Sequence, residues 1–335
     1  MALMCIPMAL SAEIAWRDLP PLPQALGGQF VGVIDDRLVV AGGSHWDGVP
    51  RPWNGGKKIW VDTIYTLGRG ESAWRMAGRL PHKMGYGVAI SLRDAMLCIG
   101  GQTPDGNLAT TYRLRLRAGK ISIDELAPLP HTAANMAGAL MGDTIFVAAG
   151  QESPSSLTAL RTFWSLSLSA AKAAWKELPA WPGPGVIMPT LTATRGALYL
   201  VGGSELTGDP GPPLGRRFLS DAFRYRTGAG WDKLPNLPRP AQAAFAVADG
   251  DDVLLIGGSD GALAPRELEI KDNHPGFNRD IFRYSAKNGR WMPEGTMPAS
   301  LVTSGIVRWG DEWVIAGGED RPGHRSARVI AGRKK

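Results

Sequence analysis

Short apolar runs, each ending in two small residues, recur along the chain as LVVAGG, MLCIGG, IFVAAG, LYLVGG, VLLIGG and WVIAGG. Their last residues are Gly43, Gly101, Gly150, Gly203, Gly258 and Gly318, spaced 49 to 60 residues apart. Runs of this length between turn residues predict buried strands, and a regular recurrence predicts repeated units. Before each lies a strand rich in small residues, among them GGQFVGVI, MGYGVAI, NMAGALM and AQAAFAV. Tight-turn signals join the two strands at 35–36, 93–94, 142–143, 195–196, 249–252 and 310–311. A second series has its own marker, a tryptophan strand running into a leucine-proline turn: Trp16, Trp74, Trp175, Trp231 and Trp291, with IDELAPLP lacking the tryptophan.

Two interleaved series of six predict an all-β chain with six four-stranded units, and the period is that of a kelch-type blade. Small residues on the first strand suit the innermost position, where blades converge on an axis and bulky side chains do not fit. The chain opens with a tryptophan strand, Ile14 to Asp18, and closes with the first three strands of a blade, expected near 301–308, 312–318 and 326–331. The N-terminal strand is therefore expected to complete the C-terminal blade and close a six-bladed propeller, removing its sheet edges. Residues 13–335 form one domain in this reading. Residues 1–12, MALMCIPMALSA, are uncharged and read either as a signal remnant or as an apolar N-terminal tail. A signal would make the protein periplasmic or otherwise exported, and a tail would leave it cytoplasmic.

Composition narrows the partners. Forty-three glycines and 26 prolines among 335 residues suit a turn-rich β fold, because 44% hydrophobic content rules against disorder. Cys5 and Cys98 cannot make a disulfide framework, and Cys98 lies inside a core strand. The formal charge of +6 is scattered, so no basic stripe for nucleic acid emerges, and no apolar run reaches the length of a membrane helix. No metal is expected. His45, His82, His131, His274 and His324 fall far apart, with no Cys/His cluster of zinc spacing, and copper chemistry of the galactose-oxidase type needs a Tyr, a Cys and two His that this pattern does not supply.

In a four-stranded blade the loops after the second strand share one face. Here they are long at 44–58, 204–218 and 259–279, which marks that face as functional. The residue following each small pair is Ser44, Gln102, Gln151, Ser204, Ser259 or Glu319. A lone carboxylate among neutral polar groups is suited to general base work; the plainer reading is a salt-bridged loop residue. Six residues on comes Arg325, with Pro322 and Gly323 expected to turn the chain so that both side chains reach one pocket. Arginine grips carboxylates in bidentate fashion.

The segments PRPWNGGKKIWVDTIY (50–65), HPGFNRDIFRYSAKNGRW (274–291) and the ending GGE-x-x-PG-x-R (317–325) resemble the sialic-acid mutarotases, the N-acetylneuraminate epimerases, and in particular their cyclically permuted branch. The resemblance covers about residues 14–330. It implies a cofactor-independent isomerase interconverting the anomers of N-acetylneuraminate or a related acidic sugar. It places Glu319 as proton acceptor and Arg325 in the active site, with the motif moved to the C-terminal blade by permutation. Trp53, Lys57, Lys58 and Asn278 are the candidate substrate-binding residues from the long loops, and water or His324 is the candidate acid. The expected partner is a small acidic sugar, not nucleic acid or membrane, and the chain acts as a monomer or homodimer. The alternative is a non-catalytic kelch propeller binding a protein or glycan, favoured by a filled channel mouth and an ion-paired Glu319. A lyase or hydrolase would need a second carboxylate facing Glu319.

Overall fold

Six antiparallel sheets of four strands follow one another around a central axis in a computed structural model that describes residues 13–47, 52–170, 172–208 and 215–335. Blade 1 is built from Phe30–Ile34, Arg37–Ala41, Thr63–Leu67 and Arg75–Arg79. Blade 2 comprises Val88–Ser91, Met96–Thr103, Gly106–Arg117 and Lys120–Leu126, and blade 3 Ala137–Met141, Thr144–Ala148, Phe163–Ser167 and Lys176–Glu177. Blade 4 uses Thr190–Ala193, Leu198–Val201, Ala222–Arg226 and Gly230–Lys233; blade 5 uses Phe245–Asp249, Asp252–Gly258, Asn278–Ser285 and Arg290–Thr296. Blade 6 takes Ile306–Trp309, Glu312–Arg321 and His324–Lys334 from the C-terminus and Ile14–Leu19 from the N-terminus. The closing strand pairs from Ile14 opposite Lys334 to Leu19 opposite Val329, as expected. Residues 1–12 of the apolar tail or signal reading lie outside the described residues.

Both sequence markers have a physical cause. In the small-residue pairs both positions take positive φ, 62° and 100° at Gly42 and Gly43, a region open to glycine and costly for other residues. Blade 3, where the first glycine is replaced, holds Ala149 at φ 69° instead. The tryptophan marker is an inter-blade tie. The indole N–H groups of Trp74, Trp175, Trp231 and Trp291 donate to the carbonyls of Pro20, Ala127, Pro179 and Pro235 at 2.8 to 3.0 Å, each in the proline turn of the preceding blade. In these four places the tryptophan and the preceding proline turn recur together because one donates to the other; the Trp16 indole N–H makes no such bond. Cys98 is fully buried, and burial pushes its thiol up.

Closer to the axis the blades are joined by backbone. Gly28, Tyr86, Asn135, Met188, Ala243 and Thr303 occupy equivalent positions just before the innermost strands, all at φ between 49° and 72°. The N–H of Tyr86 donates to the Gly28 carbonyl, Asn135 to Tyr86, Met188 to Asn135, Ala243 to Met188, and Gly28 to Thr303, at 2.6 to 2.9 Å. The residue before each of these makes a reciprocal backbone bridge with the residue after a small pair: Gly27 with Ser44, Gly85 with Gln102, Ala134 with Gln151, Ile187 with Ser204, Gln242 with Ser259, and Val302 with Glu319. The six post-glycine residues are thus structurally equivalent.

Arg17 on the closing strand reaches across blade 6 to Glu312, Nε and Nη2 donating to the two carboxylate oxygens at 2.7 Å each. The Arg17 hydrogen bond holds the Glu312 carboxyl below the usual range despite burial. Because the folded value lies below the unfolded one of about 4.3, this stabilisation is complete above that pH and is lost as pH falls through the folded value. Arg17→Ala should lower stability by about 1 kcal/mol at pH 7, since the arginine is half exposed and screened. The difference from the parent should shrink at pH 3, as read by urea denaturation at both values; an equal difference at both pH values would show that the pair does not supply it.

Candidate functional site

On one face of the ring a cavity of about 770 Å³ opens above the six positive-φ residues. Tyr86, Asn135, Met188, Ala243 and Thr303 form its floor and also line a narrower axial channel of about 210 Å³ below. The volume falls within the usual range for ligand sites, so the mouth is not filled by side chains. The described parts of the three long loops converge on it. Loop 44–58 folds as a hairpin pairing Ser44–Trp46 with Lys58–Trp60, and loop 204–218 pairs Ser204–Leu206 with Arg216–Phe218. Loop 259–279 carries a short helix, Glu267–Ile270. Trp46 and Lys58, Arg216 and Phe218, and Ser259, Asp260 and Glu267 line the same cavity as Glu319, as the shared-face expectation required. Residues 48–51 and 209–214 of these loops lie outside the described residues.

Glu319 and Arg325 are brought together differently from the expected loop turn. The second and third strands of blade 6 continue past the small pair to Arg321 and resume at His324, with Pro322 and Gly323 as a two-residue hairpin turn, Gly323 at φ 67°. Glu319 and Arg325 are therefore cross-strand partners, and Arg325 Nη1 donates to Glu319 Oε1. The arginine is buried and does not reach the cavity wall. Its Nη2 donates to the Tyr86 hydroxyl at 2.7 Å and lies 3.4 Å from Ser44 Oγ, while Ser44 Oγ and the Tyr86 hydroxyl are 3.2 Å apart. Burial would pull the guanidinium down, but Glu319 and Tyr86 outweigh it, so Arg325 is held firmly charged. The expected grip of Arg325 on a ligand carboxylate gives way to a support role behind the wall. The cations on the wall are Lys58 and Arg216.

Alternation along each strand explains which side chains arrive. In Ser44–Trp46, Ser44 and Trp46 face the site and His45 turns away. On the partner strand the Lys58 ammonium sits 4.2 Å from the ring centroids of both Trp60 and Tyr86, and these rings meet edge to face at 5.5 Å. Lys57, one residue before, is exposed and off the wall. Trp53 is also off the wall; its indole N–H donates to Asp272 at 3.0 Å, joining the blade 1 and blade 5 loops. Asn278 lines the cavity and donates to Asp260 at 3.2 Å. His324 points away and pairs with Asp320 at 2.8 Å, so it does not serve as the acid.

Among the cavity residues not found by sequence reasoning are Trp46, Tyr86, Arg216 and Glu267. The repeat alignment carried a signal for Tyr86, a large polar residue at a position filled elsewhere by Gly28, Asn135, Met188, Ala243 and Thr303. Burial pulls the guanidinium of Arg216 down, opposed by Glu267 and Glu319, though its surface opens into the cavity and this desolvation is partial. Burial, reinforced by Glu319 and opposed by Arg216, pushes the Glu267 carboxyl above the usual range.

The geometry can be set beside known proteins. No protein-family model matches the chain. It is similar to an N-acetylneuraminate epimerase of Haemophilus influenzae (strain PittEE), 28% identical over 220 residues, covering 58% of this chain and 56% of that relative. An N-acetylneuraminate epimerase of Yersinia enterocolitica is 31% identical over 129 residues, covering 33% of this chain and 32% of the relative. The chain thus matches a little more than half the length of the first relative and about a third of the second. A solved structure described as "Structure of YjhT" superposes with a TM-score of 0.69 over 93% of this chain and 95% of that one, at 14% identity, a likeness of fold.

Gly27 makes the room that Arg325 occupies, since a Cβ there would sit 2.4 Å from Nη1. Gly27→Ala should cost about 1–3 kcal/mol through overpacking, whereas Gly196→Ala, with no atom within 4 Å of the added carbon, should be nearly neutral. Thermal unfolding of both variants is the check; equal melting temperatures would mean that the guanidinium does not fill the space beside Gly27.

Proposed function

We propose that the protein is a mutarotase of acidic sugars, interconverting the anomers of N-acetylneuraminate or a close relative. The observation that carries this reading is a carboxylate set on the blade framework, Glu319, on the wall of an open polar cavity with two cations, Lys58 and Arg216, on the same wall. Support comes also from the epimerase relatives. Opening a 2-keto sugar acid requires removal of the anomeric hydroxyl proton, a proton for the ring oxygen, and rotation before reclosure. Glu319 Oε2, the oxygen not held by Arg325, is the base. Lys58 is the cation for the substrate carboxylate, Arg216 a second contact, and Trp46 offers a flat apolar face to the sugar ring. Arg325 fixes the carboxylate of Glu319 and neutralises it between turnovers.

Two rival readings have an observation each. The ion pair of Glu319 with Arg325 suits a non-catalytic binding propeller, but the open mouth does not. Glu267 and Asp260 supply further carboxylates on the same cavity, Asp260 held by Asn278, and glycoside cleavage would need such a second carboxylate. Anomer equilibration of freshly dissolved N-acetylneuraminate, followed by proton NMR, separates the three. The parent should accelerate it and Glu319→Gln should lose about 10²- to 10⁴-fold in rate, while a sialoside incubated with the parent releases no free sugar. No acceleration by the parent with ligand still bound supports the binding propeller, and released sugar supports cleavage.

A further inference from the structure

Ring opening needs an acid as well as a base, and the two must stand side by side. The anomeric hydroxyl and the ring oxygen are bonded to the same carbon, so the group that takes a proton from one and the group that gives a proton to the other must approach neighbouring atoms. In this cavity a single guanidinium holds two oxygen acids at once. Arg325 Nη1 donates to Glu319 Oε1, and Nη2 of the same fork donates to the Tyr86 hydroxyl at 2.7 Å. Glu319 and Tyr86 both line the cavity, and Arg325 lies behind them.

We infer that Tyr86 is the general acid that protonates the sugar's ring oxygen as its bond to the anomeric carbon breaks, and the base that recovers that proton on reclosure. The inference rests on the mutarotase reading and names its missing group. Glu319 takes the anomeric hydroxyl proton, the electron pair of that O–H bond forms the carbonyl, and the C–O ring bond breaks with its pair passing to the ring oxygen. The Tyr86 hydroxyl donates its proton there. After rotation presents the other carbonyl face, the sugar hydroxyl adds back, returning its proton to the Tyr86 phenolate while Glu319 protonates the new anomeric oxygen. Nothing is consumed and both groups end as they began.

Three further observations fit this role. The phenolic oxygen already accepts from Arg325, so its own hydrogen is free to turn to Ser44 Oγ at 3.2 Å or into the cavity. The residue is mounted rigidly, at φ 61° in the backbone ring, with its N–H donating to Gly28 at 2.6 Å and its carbonyl accepting from Asn135 at 2.8 Å. A bulky residue in this region of backbone space is uncommon and is retained where the surroundings enforce it. The charged groups facing the phenol are Arg325, Lys58 and Glu319. Burial raises its pKa, but Arg325 and Lys58, helped by the Ser44 hydrogen bond, outweigh both burial and Glu319 and hold it below the ordinary phenol value. A tyrosine in that setting gives up its proton more readily, and the phenolate it leaves faces two cations. Glu267 is the rival acid, but it shares with Glu319 only the field of Arg216, whereas Tyr86 and Glu319 are hydrogen-bonded to one guanidinium.

The test uses N-acetylneuraminate as probe and equilibration rate against pH as readout. Tyr86→Phe should reduce kcat by about 10²- to 10⁴-fold with little change in KM, while Glu267→Gln should not. Site-specific 3-fluorotyrosine at 86, whose phenol is more acidic, should retain activity and move the high-pH fall in rate to lower pH, which a purely structural tyrosine would not do. A Tyr86→Phe enzyme as fast as the parent, a high-pH arm unmoved by fluorination, or the loss appearing in Glu267→Gln instead would overturn the inference while leaving the mutarotase reading intact. A parent protein without acceleration would sink that reading, and this inference with it.

Discussion

The structure depends on five main-chain hydrogen bonds around the axis that link six residues held at positive φ, one per blade, each bond running to the counterpart in the blade before. Gly28, Tyr86, Asn135, Met188, Ala243 and Thr303 are those residues. Left-handed backbone costs roughly 1 kcal/mol or more at a non-glycine position, and five of the six are non-glycine residues, each joined to a neighbouring blade by at least one of these hydrogen bonds. The ring fixes how closely the innermost strands approach, which is why those strands carry small residues. It also makes the floor of the cavity and aims whatever side chain a ring position carries into it.

That geometry turns local sequence into a site. Each residue after a small pair is locked by a two-bond bridge to the residue preceding a ring member, so Glu319 and Tyr86 are set by the same framework although they belong to blades 6 and 2. Arg325 arrives as the cross-strand partner of Glu319 and lies in the space left by Gly27. The outer tryptophan ties and the closing strand at Ile14–Leu19 keep the blades from drifting outward. Glu319, Arg325 and Tyr86 are thus carried on a rigid core, while Lys58, Trp46, Arg216 and Glu267 come from the longer loops above it.

The fold was legible because its cause is periodic. Small-residue pairs, small inner strands and tryptophans opposite proline turns are repeated demands of one geometry, and six small-residue pairs, with the tryptophan kept in five of six units, made blade number and ring closure readable. Glu319 was legible as the odd member of an equivalent set, and its nearness to Arg325 followed from the turn at Pro322 and Gly323, although the strands run on through that turn. The rest was hidden by distance along the chain. Tyr86 reaches Arg325 across 239 residues, and Arg216 and Glu267 meet only through the convergence of two loops. Lys57 and Trp53 were near-misses of a different kind: Lys57 precedes the wall residue Lys58 by one position and is exposed, and Trp53 sits in a short 3-10 turn whose indole donates to Asp272 instead.

The central claim is that this cavity catalyses anomer exchange of a sugar because the sugar is acidic and has a free anomeric hydroxyl. Two-dimensional NMR exchange spectroscopy on equilibrated solutions measures it without any variant. With catalytic amounts of the protein, N-acetylneuraminate should show exchange cross-peaks between its two anomers that are absent without protein, its methyl glycoside should show none, and glucose should exchange no faster than it does alone. Cross-peaks equally enhanced for glucose, or no enhancement for N-acetylneuraminate at any protein concentration, would contradict the account.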